Sequence, residues 1–269
     1  MSDSLIDQPD QTWRQSPRSS MISIVPLAGI GEIASGDDLV AIMDAAMQPF
    51  SPENGDILVV TSKILSKAEG RQVDLAMVTP GAQARDIAGT IGKDPRLVEL
   101  ALSESSAVVR AAPGVLITRH RLGLVMANAG IDASNIGAGG GDRVLLLPED
   151  PDASAARLRD GLMARLGITL GVILSDSFGR PWREGVVNVA VGAAGLPAIH
   201  DRRGDTDRDG RVLQVTQIAY GDLIASAAGL AMGEAAEGIP AALVRGLALP
   251  AMDVPASALV RTATQDLFR

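Results

Sequence analysis

The feature that most constrains this chain is a rhythm of short β-branched runs closed by turn residues, with helical patterns between them. The runs are Ile22 to Val25, Ile57 to Val60, Val108 to Ala111, Val115 to Thr118, Leu122 to Met126, Val144 to Leu147 and Ile168 to Leu174. Runs of this length and make-up predict strands. Between them, Asp37 to Met47, Gln83 to Ile91 and Ala153 to Leu166 carry apolar residues at helical spacing, and the first opens with two acids after Gly36. Such openings mark helix starts. The alternation predicts a mixed α/β fold. The last third departs from it: "VVNVAVGAAGLPAI" has no clean period, and "RVLQVTQIAYGDLIASAAGLAMGEAAEG" reads as a strand leading into a helix from about Tyr220 to Ala236. No repeat recurs at a fixed period.

Composition narrows the functional classes. The chain has 269 residues, of which 46% are hydrophobic, enough for a substantial core, but aromatics are only 2%. Few rings are therefore available to stack on single-stranded bases. The formal charge of −8 is the wrong sign for following a phosphate backbone, so no nucleic-acid partner is expected. With no cysteine, thiolate nucleophiles, disulfides and cysteine zinc sites are excluded, and the two histidines, His120 and His200, are too far apart for a helical zinc pair. A metal would sit among oxygen ligands, which favours Mg²⁺ or Mn²⁺. Residues 1–20 contain no apolar leader core and read as a disordered tail. No apolar stretch reaches the roughly 18 to 20 residues of a membrane span, and a cytoplasmic protein without membrane contact is expected.

Four segments could carry chemistry. In "GDILVVTSKILSKAEGR", Thr61 and Ser62 follow a strand and can cap a short helix on which Lys63 and Lys67 lie one turn apart. This arrangement suits phosphate oxygens, and it equally suits an ordinary capped helix with solvated lysines. "ANAGIDASN" spreads Asn128, Asp132, Ser134 and Asn135 among small residues that let a ligand approach the backbone. In "LSDSFGRPWREG", Asp176 and Ser177 stand where a buried run ends, the usual place for ligands in open α/β sheets. Arg180 and Arg183 supply planar donors for phosphate or carboxylate, Pro181 stiffens the loop and Trp182 can pack it down. The same residues would also lock a tight structural loop. "AMGEAAEGIP" places Glu234 and Glu237 beside glycines at a helix end. Two further segments read as loops. "NIGAGGGDR" lacks the lysine of a P-loop, and "HDRRGDTDRDGR" is dense in charge and turn residues.

Taken together and in this order, "GDILVVTSKILSKAEGR", "ANAGIDASN", "SDSFGRPWREG", "IHDRRGDTDRDGR" and "GEAAEGIP" closely resemble the coenzyme F420-0:L-glutamate ligase family, from about Met21 to Gly246. The resemblance implies a GTP-dependent γ-glutamyl ligase. F420-0 would be activated at its lactyl carboxylate as an acyl phosphate, L-glutamate would displace phosphate, and further γ-linked glutamates would follow with release of GDP and phosphate. It implies a mixed α/β fold of the family's own kind, with a larger and a smaller lobe spanning residues 21–269. That fold is neither P-loop nor ATP-grasp, and it assembles as a homodimer. Residue by residue, Asp132 and Asp176 match metal ligands and the catalytic centre, with Ser177 and Glu234 as further metal ligands. Ile30, Gly31, Glu32, Ile33, Ser62, Lys67, Asn135, Met232, Gly233 and Gly238 match the GTP site. The implied cofactors are Mg²⁺ or Mn²⁺, two per site, and K⁺. Arg180 and Arg183 are assigned to substrate or phosphate on their chemistry alone. Some relatives carry a second, flavin-reductase-like domain, and only the ligase half is expected here. The rival readings are a ligase for another phosphorylated acid and an inactive nucleotide- or F420-binding module.

Overall fold

The computed structural model describes residues 21–134, 142–262 and 264–266. In chain order its elements are β1 (Ser23–Pro26), α1 (Leu39–Met47), β2 (Asp56–Thr61), α2 (Ser62–Ala68), β3 (Gln72–Asp74), α3 (Ala82–Ile91), α4 (Pro95–Ser103), β4 (Ser105–Ala112), β5 (Val115–His120), β6 (Val125–Ala127), β7 (Arg143–Leu145), α5 (Pro151–Leu166), β8 (Leu170–Arg180), β9 (Arg183–Ala194), β10 (His200–Asp201), β11 (Gln217–Ile218), α6 (Tyr220–Met232) and β12 (Ala241–Arg245). The class is mixed α/β, as the sequence rhythm predicts. The first 20 residues and the glycine-rich stretch 135–141 lie outside the described residues, and with them the tail and the P-loop-like segment.

A five-stranded sheet in the order β1-β12-β2-β8-β9 organises the chain. Only β2 and β8 run parallel; the other neighbours are antiparallel. Residues 56–60 of β2 are all buried, because helices cover both faces of the sheet, and this is why "DILVV" shows no polar alternation. On one face, Leu39, Met43 and Met47 of α1 and Leu158 and Leu162 of α5 pack over Leu58, Val60, Val172 and Leu174. On the other, Ile224, Ala225, Ala228 and Met232 of α6 pack over Ile57, Val59, Ile173 and Ala242. Each large side chain so buried contributes roughly 1.5–3 kcal/mol. A separate small core joins Ala84, Ala88 and Ile91 of α3 to Val98 and Ala101 of α4 and Leu116 of β5. It lies beneath a second sheet ordered β4-β5-β6.

Local signals fix the helix ends. Asp38 and Asp150 accept backbone N–H bonds from Ala41 and Ala153 at 3.1 and 3.0 Å, capping α1 and α5. Two elements passed over in the sequence carry comparable signals. Asp94 caps α4 with Pro95 at its first turn, and β12 is the short buried run "AALVR". The helix expected to reach Ala236 stops at Met232, because Gly233 adopts φ +77°.

The largest departure concerns "LSDSFGRPWREG". The strand does not end at Leu174; it continues as β8 to Arg180 and turns back into β9. Only burial ends near Leu174. Beyond Ser175 the residues alternate between half-buried and exposed, as in a hairpin arm with one face in solvent. Ser, Asp and Gly are poor strand formers, and it is pairing with the β-branched "VVNVAV" of β9 that makes this segment extended. Trp182 does not pack the turn down: it is 83% exposed with φ +59°. The edge strand β9 is blunted by carboxylates, with Asp222 accepting from Ala190 N–H and Asp152 from Ala193 N–H, at 3.0 and 2.9 Å.

Candidate active site

The parallel pair determines where the site forms. Thr61, the last residue of β2, is the register partner of Ser175, where the parallel pairing of β2 and β8 ends, so α2 begins beside Asp176. This is where open α/β sheets place ligands. Lys63, in the first turn of α2, reaches across the strand ends to Asp132. Its Nζ lies 2.6 Å from Asp132 Oδ2 and donates to the Ser134 carbonyl at 3.1 Å. The other oxygen of Asp132 accepts from Ser134 N–H and Oγ at 2.6 and 2.7 Å. Asp132 itself is held in place by paired backbone bonds with Leu145 at 3.0 and 2.8 Å. Burial pushes its carboxyl up, but the bonds from Lys63 and Ser134 outweigh that and leave it below the usual carboxylate value.

Asp176 is the electrostatic opposite. Burial raises its carboxyl to about 7; the Ser177 N–H bond lowers it, the charge of Asp132 raises it, Lys63 lowers it and Glu234 raises it again. These groups therefore share one field. Ser177 Oγ, on the opposite face of β8, donates to Glu234 Oε2 at 2.5 Å and lies 3.3 Å from Asn188 Oδ1. Asn188 is a lone buried polar residue in the apolar run of β9, a signal the sequence offered and the site reading did not use.

Lys67, one turn after Lys63, is buried and pairs with Glu32. Neither lysine is therefore a solvated helix residue. Thr61 is the helix cap but makes no side-chain capping bond, and Ser62 is buried in the first turn. The pairing ties the 30–33 segment to α2. Ile30 packs against the main core, Gly31 is exposed, and the side chain of Ile33 is buried in that core, out of reach of a ligand. Met232, the last residue of α6, is likewise buried. Gly233 and Gly238 both have positive φ, and a Cβ on Gly233 would lie 2.3 Å from Glu237 Cδ. Glu237 bends back to accept from Ala235 N–H at 2.8 Å. Asn135 lies outside the described residues.

Arg180 and Arg183 are not gathered with the acids. They face each other at the hairpin end, about 13 Å beyond Asp176 at the usual rise per residue. Arg180 donates to the Glu184 carbonyl at 2.9 Å and its Nε has no partner among the described residues. Arg183 is exposed. The "HDRRGDTDRDGR" segment folds on itself through Arg203–Asp201 and Arg202–Asp205 pairs, in agreement with its reading as a loop.

Among the described residues, no three acidic or histidine side chains stand close enough to form a preformed metal cage. Asp132, Asp176, Ser177 and Glu234 nevertheless offer only oxygen donors, with Lys63 as the cation beside them. Burial raises the Asp176 carboxyl to about 7, with the charges of Asp132 and Glu234 adding to it, and a hard divalent cation among these oxygen donors would relieve both effects, so the residues fit such an ion.

A family model described as F420-0:Gamma-glutamyl ligase matches residues 29–246. The coenzyme F420:L-glutamate ligase of Methanopyrus kandleri is 44% identical over 252 residues, covering 92% of this chain and 98% of that protein. The protein of the same name from Methanothermobacter thermautotrophicus is 42% identical, with coverage of 92% and 99%. That of Methanocaldococcus jannaschii is 40% identical over 237 residues, with coverage of 88% and 93%.

Proposed function

This chain belongs to the F420-0:gamma-glutamyl ligase family and is a coenzyme F420:L-glutamate ligase, and we propose from that premise that GTP powers the joining. The γ-phosphoryl group passes from GTP to a carboxylate oxygen of F420-0, and GDP leaves. The amine of L-glutamate then attacks the acyl carbon and loses a proton as inorganic phosphate departs. Further rounds add γ-linked glutamates. The observation that carries this reading is the set of oxygen donors Asp132, Asp176, Ser177 and Glu234 where the parallel pairing of β2 and β8 ends, tied together by the Lys63–Asp132 pair and the Ser177–Glu234 bond.

Each group has a place in the scheme. Asp132, Asp176, Ser177 and Glu234 would hold Mg²⁺ or Mn²⁺, which when bound neutralises phosphate charge during transfer. Lys67 and Ser62, with the backbone of Ile30, Gly31, Glu32 and Ile33, take the nucleotide, and Gly233 and Gly238 let chain and nucleotide approach closely. The fixed carboxylates and lysines keep donor and acceptor oxygens in line. K⁺ and a homodimer belong to the same reading. The dimer is supported by the exposed Val108, Val109, Val115 and Val125 on the β4-β5-β6 sheet.

The test is mass spectrometry of F420-0 incubated with the protein, GTP, L-glutamate and Mn²⁺, with controls lacking metal or GTP. Successive glutamyl mass increments that need both are expected. No increment from folded protein that binds GTP would move the assignment to another acid or to a binding role.

A further inference from the structure

A cavity of about 280 Å³ opens against the β8–β9 hairpin, near the lower end of small-molecule sites at roughly 300 Å³. Two of its wall residues adjoin Asp176 directly. Phe178 stands two positions further along β8 and so on the same face, and Val189 is the register partner of Asp176 on β9. Leu124 and Leu259 close the cavity from the small sheet and the C-terminal segment. The lining is mainly apolar and carries two cations, Arg119 and Arg261. Its two carboxylates are engaged: Asp222 accepts from Ala190 N–H at 3.0 Å, and Asp266 pairs with Arg119 at 3.1 Å. Arg261 makes no ion pair among the described residues.

Resting on the ligase reading, we propose that this cavity binds the body of the acid acceptor, an amphipathic organic anion whose reacting carboxylate lies at Asp176. The sheet order supplies the reason. Strand β8 separates β2 from β9, so α2, with Ser62 and Lys67, lies on one side of Asp176 and the cavity on the other. A phosphoryl group passing between nucleotide and acid has to cross near Asp176, which leaves the β9 side for the acid. Apolar walls suit the body of such a molecule, and Arg261, whose charge is not offset by an ion pair among the described residues, favours an anion over cations and neutral analogues. The volume holds part of a large acid and leaves the rest in solvent.

Two variants test the assignment, Leu124→Trp, which fills the cavity, and Arg261→Ala, which removes an exposed cation. Steady-state kinetics with F420-0, GTP and L-glutamate should show KM for F420-0 raised about tenfold or more in Leu124→Trp and severalfold in Arg261→Ala, with KM for GTP and L-glutamate unchanged. Should Leu124→Trp fail to fold, the surface variant decides alone. An unchanged KM for F420-0, or equal rises for all three substrates, overturns the site. Wild-type protein that adds no glutamate overturns the ligase reading instead.

Discussion

Lys63 Nζ stands 2.6 Å from Asp132 Oδ2, so the first turn of α2 holds a carboxylate supplied by the segment after β6. Both side chains are partly exposed, at 26% and 36%, and the pair also engages the Ser134 carbonyl. Lys63→Ala should therefore cost only about 1–2 kcal/mol, the range of a charge-assisted bond in partial contact with water. For a chain of this size that lowers Tm by a few degrees. Turnover should fall far more than stability, by about tenfold or more, because Asp132 loses its counter-charge and its orientation. Thermal melts alongside kcat measure both, and an unchanged kcat would remove Lys63 from the machinery.

Asp176→Asn separates folding from chemistry. The amide keeps the shape and can still accept the Ser177 N–H bond, while the buried charge facing Asp132 and Glu234 disappears. The variant should fold with a Tm no lower than wild type, and glutamyl addition to F420-0 should fall below detection. Calorimetric titration with Mn²⁺ should show weakened binding in the same variant. Full activity in folded Asp176→Asn would falsify its role at the centre.

The sequence made the carboxyl-end chemistry legible and left its framing hidden. Asp132, Asp176 and Glu234 lie far apart in the chain and share one field through long-range contacts that no local period records: the parallel β2–β8 pairing sets Lys63 beside Asp176, Lys63 holds Asp132, and Ser177 holds Glu234. The continuation of β8 through Arg180 is hidden for a related reason. Its own residues are weak strand formers, and the partner that extends them, β9, has no clean alternation because its inner half is buried on both faces. Arg180 and Arg183 read as phosphate donors by residue type, yet a turn at Pro181 and Trp182 carries them to the hairpin end. By resemblance Lys67 and Glu32 both belong to the nucleotide site, but that they pair with each other depends on how the 30–33 segment packs over α2.

Gly192 shows how closely β9 and α5 approach. A Cβ there would lie 2.4 Å from the Pro151 carbonyl oxygen and 2.6 Å from its carbon, and that backbone belongs to the capped first turn of α5. Neither partner can swing aside as a side-chain tip would. Gly192→Ala should cost about 1–3 kcal/mol or more, the range for overpacked interiors, read as a lower urea midpoint at unchanged slope. A neutral result would mean that α5 shifts freely on the sheet.

His120 should make stability depend on pH. Its side chain is fully buried. Nδ1 accepts from Leu122 N–H at 3.1 Å, which places the proton of the neutral ring on Nε2, 3.4 Å from Glu104 Oε2. Burial holds its pKa below the usual value, Arg121 and Arg71 add to this, and Glu104 opposes it without prevailing. The folded state thus takes up the proton less readily than the unfolded chain, whose histidine titrates near 6.5. The stabilising contribution is complete above that pH and is lost as pH falls from about 6.5 towards the lower folded value, by at most about 1.4 kcal/mol per unit. His120→Asn can keep an acceptor near the Leu122 N–H and cannot titrate. Urea unfolding at pH 7.5 and 5.5 should show a smaller loss of stability in the variant than in wild type. An equal loss in both would mean that the imidazole ring is protonated as readily in the folded protein as in the unfolded chain.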